Sequence, residues 1–278
     1  MKKILIAVAP VSHTGVDIPV GINIPLTPED VANEVLECSK KGASMVHLHV
    51  RDNEGQQTAD LSCFSKTISL IRKESDIIIQ GSTGGVAELS LEERCVSLNE
   101  PQVEVASLNM GSANLGEGVY INKLPDIRFW AKKMQENNVL PEMEIFDLSM
   151  IGSVSKIYME GLAQPPFSFN FCLGFENAIQ PTSDNLFYLK NSIPKDSHWG
   201  LIHENMEDFC LLITAAGMGA VSLRIGFEDS FYYSKGKLVK SNAELVGRLV
   251  EILAKLDFEP MTPGEARQMM GIPALLPV

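Results

Sequence analysis

Short apolar runs alternate along this chain with longer segments whose apolar positions recur at helical spacing. The runs predict strands at Ile4–Ala9, Ser44–Val50, Asp76–Gly81, Val103–Leu108, Glu142–Phe146, Phe167–Cys172, His198–His203 and Ala220–Phe227. The segments between them predict helices over Thr27–Lys41, Leu61–Glu74, Leu91–Leu98, Leu124–Asn137, Met150–Leu162, Asp184–Lys190, Met206–Ala216 and Asn242–Leu256. Thr27-Pro28-Glu29-Asp30 combines a cap, proline in the first turn and early acidic residues, a helix start. Ser241 or Asn242 caps the last of these helices, and Gly42 and Gly217 are placed where helices end.

Alternating strand–helix pairs imply a parallel sheet buried on both faces, and a count of eight predicts a closed (β/α)8 barrel, the TIM barrel. An open doubly wound sheet is the competing architecture. No stretch rich in Gly, Ser or Pro marks a boundary, so residues 1–278 read as one barrel domain. Residues 260–278 form a short C-terminal helical extension, with a helix start at Thr262-Pro263-Gly264-Glu265, that covers the barrel or serves a subunit contact.

The formal charge of −12, with no long basic run, argues against a nucleic-acid partner. Five cysteines without a C-x-x-C pair read as reduced, mostly buried thiols of a cytoplasmic protein rather than a disulfide framework. Met1-Lys2-Lys3 and Ala7-Val8-Ala9 mimic a signal peptide, but the apolar stretch between them is shorter than the roughly 7–15 residues such a signal needs. No run reaches the roughly 18 apolar residues of a membrane span, so no membrane partner is expected.

The sharpest chemical feature is His47-Leu48-His49-Val50-Arg51-Asp52, at the end of the second strand. Residues i and i+2 of a strand share a face, so both imidazoles can converge on one metal ion at about 2.0–2.1 Å. The bland alternative is a hydrogen-bonded pair of core histidines. A catalytic zinc site commonly adds a carboxylate, and Arg224-Ile225-Gly226-Phe227-Glu228-Asp229 ends the eighth strand, one strand away from the second across the first. Glu228 is the expected third ligand; otherwise Arg224 and Glu228 simply pair with each other. Gly81-Ser82-Thr83-Gly84-Gly85 closes the third strand, where bare N–H groups and the Ser82 hydroxyl suit a carboxylate or oxyanion. Ser107-Leu108-Asn109-Met110-Gly111 and Glu142-Met143-Glu144-Ile145-Phe146-Asp147 are more polar than structure requires. Glu142 and Glu144 share a face, and Glu144 lies nearer the rim.

Together with Pro25-Leu26-Thr27-Pro28-Glu29-Asp30, these motifs resemble the β-keto acid cleavage enzyme family, founded on 3-keto-5-aminohexanoate cleavage enzyme, over nearly the whole chain. The resemblance implies a zinc-dependent barrel with Zn2+ held by His47, His49 and Glu228. It also implies a retro-Claisen exchange in which a β-keto acid and acetyl-CoA give acetoacetate and a new acyl-CoA. Ser82 and the Gly85 amide would hold the substrate carboxylate with Ser107 nearby, and Asp229 assisted by Arg224 would act as general base. The family likeness further suggests a homotetramer.

Two departures matter. Where the founding enzyme carries a glutamate that receives the substrate's amine, this chain has His13, which offers no fixed negative charge. A neutral or anionic β-keto acid is therefore expected, with His13 either donating to a distal oxygen or serving structure. A Gly-Arg pair after the seventh strand is replaced by His203-Glu204-Asn205. For the anionic CoA, Lys235 and Lys237 after strand eight are the nearest basic groups. A metal-dependent amidohydrolase is the alternative enzyme, although strands five and six lack the histidines it needs. A non-catalytic metabolite-binding barrel is the alternative of another class.

Overall fold

The structure, a computed structural model, describes residues 1–85 and 89–275. Strands β1 (Lys2–Val8), β2 (Met45–Leu48), β3 (Ile78–Gly81), β4 (Val105–Asn109), β5 (Leu140–Ile145), β6 (Ser168–Leu173), β7 (His198–His203) and β8 (Ser222–Ile225) are parallel. They follow one another around a closed barrel, with β8 pairing back to β1. Each strand is followed by a helix: α1 (Pro28–Lys40), α2 (Ser62–Arg72), α3 (Leu91–Arg94), α4 (Leu124–Glu136), α5 (Met150–Met159), α6 (Ser183–Ser192), α7 (Cys210–Gly217) and α8 (Asn242–Ala254). This is the (β/α)8 architecture; the open-sheet alternative is excluded by the β1–β8 pairing.

Strand parity divides the interior into two layers. Ile4, Ile6 and Val8 face outward into the main core beneath the helices. Leu5 and Ala7 face inward and meet Met45, Ile78 and Val105, forming an apolar floor at the N-terminal end of the barrel. Two residues further along the same inward rows the character changes to His47, Gln80, Ser107 and Glu142, all buried. The lower half of the barrel is thus hydrophobic and its upper half polar, which places the chemistry at the C-terminal rim.

The extension seals the floor. After a short strand, Phe258–Pro260, pairs beside β1, helix α9 (Pro263–Met270) starts on a reciprocal capping box between Thr262 and Glu265. Met261, Ala266 and Met270 pack on the floor residues. Arg267, also buried, donates to Glu104 at 2.6 and 2.9 Å and to the Asp76 carbonyl at 2.7 Å, while Arg72 meets the same carboxylate at 2.9 Å.

Several boundaries differ from expectation for local reasons. Asp208 accepts from the Cys210 N–H at 2.8 Å and starts α7 there, four residues later than the apolar pattern suggests. That helix runs through Gly217, and Gly219 (φ +98°) provides the left-handed turn instead. The expected Leu91–Leu98 helix breaks at Cys95 into α3 and a 3-10 turn, Val96–Asn99. Ser241 rather than Asn242 caps α8. Asn242 is fully buried and clamps the neighbouring loops, accepting from Phe227 N–H at 2.7 Å and donating to Pro10 O at 3.2 Å. Two rim hairpins, Ala113–Leu115 with Gly118–Tyr120 and Tyr232–Ser234 with Lys237–Leu238, carry no expectation from the sequence.

The floor gives a stability test. Arg267→Ala leaves Glu104 with one of its two guanidinium partners and is expected to lower unfolding free energy by about 3 kcal/mol. Urea titration of the variant checks this; a loss below about 1 kcal/mol would mean that α9 is held by its apolar face alone.

Candidate active site

The candidate ligands converge because three loops are tied together. Gly226 lets the chain turn out of β8 against the end of β1: its φ is +152°, and a Cβ there would lie 2.1 Å from the Ala9 carbonyl. Glu228 N–H then donates to that carbonyl at 3.1 Å, which brings the Glu228 side chain over the end of β2. His47 Nε2 and His49 Nε2 are 3.3 Å apart and lie 3.8 and 3.6 Å from the two Glu228 oxygens. One atom from each of the three residues falls within a 4.8 Å span.

This donor set fits a divalent metal. Burial pushes His47 down to about 3 and also lowers His49, so both imidazoles are neutral near pH 7. His47 Nδ1 lies 2.7 Å from Gln80 Oε1, so the amide holds the ring with Nε2 turned to the cluster. His49 Nδ1 meets Gln57 Nε2 at 2.9 Å, and a half-turn of that amide presents Oε1 instead, as Nε2 ligation requires. Behind Gln80, the buried Glu142 accepts from Gln80 at 2.8 Å and from Asn170 at 3.0 Å.

Arg224 is the electrostatic centre. It donates to Asp229 at 2.5 and 3.1 Å and to Glu228 at 3.1 Å, and approaches Glu144 at 3.8 Å. Desolvation opposes its charge, but Asp229 and Glu228 keep its pKa well above the ordinary value. Burial alone would raise Glu228; Arg224 holds it well below its usual range instead. Burial raises Asp229, against the pull of Arg224. Burial also pushes Glu144 up to about 8, again opposed by Arg224. Glu204, at the end of β7, is raised to about 9 by burial, reinforced by Asp229 and Glu228.

Arg224, Glu228 and Glu144 border a cavity of about 230 Å³, lined also by His13, His47, His49, Ser82 and Gly85 among others. Ser82 Oγ accepts from Gly84 N–H at 3.0 Å, which shapes the turn after β3. Ser107 sits behind that turn, accepting from Thr83 N–H at 3.4 Å, and Asp229 sits behind Arg224; neither is part of the lining. His13 Nε2 is buried there without a hydrogen-bond partner. Lys235 and Lys237 lie away from the cavity: Lys235 is exposed, 3.8 Å from Glu207, and the Lys237 ammonium stands 4.1 Å over the Tyr233 ring.

The sequence reading passed over Gln57, Gln80, Arg51, Tyr120 and Phe175. Gln80 had a legible signal, a polar residue ending Ile77-Ile78-Ile79 on the inward parity. Arg51 shares the parity of the two histidines and donates to Gly55 O at 2.7 Å and Thr14 Oγ1 at 3.3 Å. Tyr120 comes from the unpredicted hairpin and reaches Gly84, where a Cβ would sit 2.5 Å from its hydroxyl.

Eight parallel strands with a buried His-His-Glu cluster at their C-terminal rim define a (β/α)8 barrel with a candidate metal centre. Residues 3–272 match the beta-keto acid cleavage enzyme family, and the chain belongs to it. It is 37% identical to the 3-keto-5-aminohexanoate cleavage enzyme of Fusobacterium nucleatum subsp. nucleatum, across 90% of this chain and 91% of the relative. It is 28% identical to the 3-oxoadipate:acetyl-CoA acetyltransferase of Cupriavidus necator, across 91% of this chain and 89% of the relative. Among solved structures, the binary complex of ObcA with oxaloacetate superposes with a TM-score of 0.76 at 18% identity, covering 90% of this chain and 67% of that one, a likeness of fold.

Glu144 supplies a pH test in metal-free protein. The folded state keeps its proton up to about pH 8, whereas an unfolded glutamate loses it near 4.5. Its contribution to stability is therefore complete below about pH 4.5 and is lost as pH rises towards 8, by a few kcal/mol at about 1.4 kcal/mol per unit. Glu144→Gln is expected to flatten that part of the urea-derived profile. Parallel profiles for variant and wild type would refute the assignment.

Proposed function

We propose that this protein catalyses a zinc-dependent exchange in which a β-keto acid and acetyl-CoA give acetoacetate and a new acyl-CoA. The observation that carries the reading is the convergence of His47, His49 and Glu228 beside the Ser82–Gly85 turn, in a chain of the beta-keto acid cleavage enzyme family. Relatives named as acetyl-CoA transferases support the co-substrate. Imidazole and carboxylate donors suit zinc, which would be held by His47, His49 and Glu228 and supplies Lewis acidity towards a keto carbonyl.

The protein's own groups do the rest. Ser82 and Gly85 line the cavity, and the Ser82 hydroxyl with the Gly85 N–H binds the substrate carboxylate, fixing the C2 methylene towards β8. Asp229, which lies behind Arg224, takes a proton from C2 once its carboxylate turns past the guanidinium into the cavity, and Arg224 balances the charge of the carboxylates around that transfer. The resulting carbanion attacks the acetyl-CoA thioester and expels the CoA thiolate. The thiolate then attacks the former keto carbonyl, the C2–C3 bond breaks, and the proton held by Asp229 returns to C2 as acetoacetate forms. Glu144 stays protonated near neutral pH and donates a hydrogen bond within the cavity. His13 contributes its unpartnered Nε2. Ser107 supports the turn from behind, and Lys235 and Lys237 offer positive charge to CoA outside the rim.

The test is acetoacetate formation from acetyl-CoA and β-keto acids before and after chelation. Turnover is expected to vanish with chelator and return with zinc. His49→Ala is expected to lose stoichiometric metal together with activity, and Asp229→Asn to retain metal but lose about a thousandfold in kcat. Metal-loaded protein that forms no acetoacetate from any acid would overturn the reading.

A further inference from the structure

The cavity is chemically divided. Most of the charged lining groups stand on one side: Arg51 continues the inward row of β2, Arg224 lies on β8 and Glu228 just after it, while Glu144 of β5 turns towards Arg224 at 3.8 Å. β1 lies between those strands, so the opposite side of the barrel is formed by β4, β5 and β6. That side is an aromatic and aliphatic wall. Tyr120 packs edge-on to Phe146 with centroids 6.2 Å apart, and Phe146 packs edge-on to Phe175 at 5.0 Å. Leu115 from the rim hairpin and Ile202 from β7 complete it.

From this we infer that the acyl group transferred to CoA is short, uncharged and largely aliphatic, seated against Phe146, Phe175, Leu115 and Ile202. The inference rests on the proposed exchange and adds its specificity. With the substrate carboxylate at the Ser82–Gly85 turn and the keto group at the His-His-Glu corner, the third substituent of the keto carbon is directed across the cavity. A charged end group there would lose its hydration against aromatic rings with no counter-ion. Among the described residues the one carboxyl on that side, Glu144, already faces Arg224 at 3.8 Å, and no guanidinium stands there for a second carboxylate. Asn109 Oδ1 is buried without a partner and also borders the cavity, so one neutral hydroxyl on the acyl chain is compatible with it. The small volume, below the roughly 300–1,000 Å³ usual for ligand sites, restricts chain length.

The test compares three acids of matched carbon skeleton: 3-oxohexanoate, 3-oxoadipate and 3-keto-5-aminohexanoate, each with acetyl-CoA and zinc-loaded protein. The expected kcat/KM for 3-oxohexanoate exceeds both charged acids by about 100-fold or more. Across a straight-chain series it rises about four- to tenfold per methylene until the wall is filled. Equal or better turnover of either charged acid would overturn the inference while leaving the exchange reading intact. If none of the three turns over, the exchange reading falls. Calorimetric binding of the same acids then decides the inference: tightest binding of 3-oxohexanoate supports it, and tightest binding of a charged acid overturns it.

Phe175 is half-buried in the loop after β6, where substitution does not breach the core. Phe175→Arg is expected to shift relative preference towards 3-oxoadipate by at least about tenfold, whereas Phe175→Leu keeps the original order. An unchanged preference in folded Phe175→Arg protein would place the acyl group elsewhere and sink the idea. Should that variant fail to fold, Leu115→Lys makes the same comparison from the hairpin.

Discussion

The upper half of this barrel depends on one buried cation. Arg224 lies among strand side chains with almost no access to water, where an isolated guanidinium would be severely destabilised. It persists because Asp229 and Glu228 both meet it within hydrogen-bond distance and Glu144 stands nearby. The dependence runs the other way as well. Glu228 and Asp229 are adjacent buried carboxylates, and without the guanidinium their mutual repulsion would force protons onto them. Glu228 shares Oε1 with Arg224 while Oε2 faces His49, so the cation also orients the carboxylate towards the imidazoles. The charge available to a metal at this corner is thus set by an arginine that does not touch the metal position.

Such a concentration of buried charge needs a rigid support, and the lower half of the barrel provides it. Leu5, Met45, Ile78 and Val105 close the floor, and α9 covers it from below. On β2, β3 and β4 the inward rows carry polar residues one step further, His47, Gln80 and Ser107. Floor and site are therefore successive layers of one structure, and the packing of the floor fixes the spacing of the groups above it. The apolar floor excludes water from beneath the site, leaving the rim as its open side.

How much of this was legible in the sequence follows from the range of each interaction. Parallel strands buried on both faces leave continuous apolar runs, so the order of barrel elements could be read directly. The convergence of His47 and His49 follows from a two-residue spacing, and Glu228 from the closure of the barrel. Register between strands could not be read in that way. The contact of Gln80 with His47 spans 33 positions and depends on β2–β3 alignment. The rim hairpin bearing Leu115 and Tyr120 was missed because its strands are only three residues each, too short for periodicity to register. At Gly217 the compositional signal was two positions early, since the helix includes Gly217 and the left-handed turn falls at Gly219.

The two imidazoles take their Nδ1 partners from different parts of the fold. Glu142 accepts hydrogen bonds from both Gln80 Nε2 and Asn170 Nδ2, which fixes the Gln80 amide with Oε1 towards His47. His47 must then donate from Nδ1, leaving the Nε2 lone pair bare for a metal. A buried carboxylate three strands away on β5 thus determines the protonation of a ring on β2. The Nδ1 partner of His49 is Gln57, on the loop after β2, at 2.9 Å. The inner ligand is preset by the barrel, whereas the outer one is set by a loop side chain. Strand register therefore orients the inner imidazole and the loop after β2 the outer one, while Arg224 orients the carboxylate that faces them both.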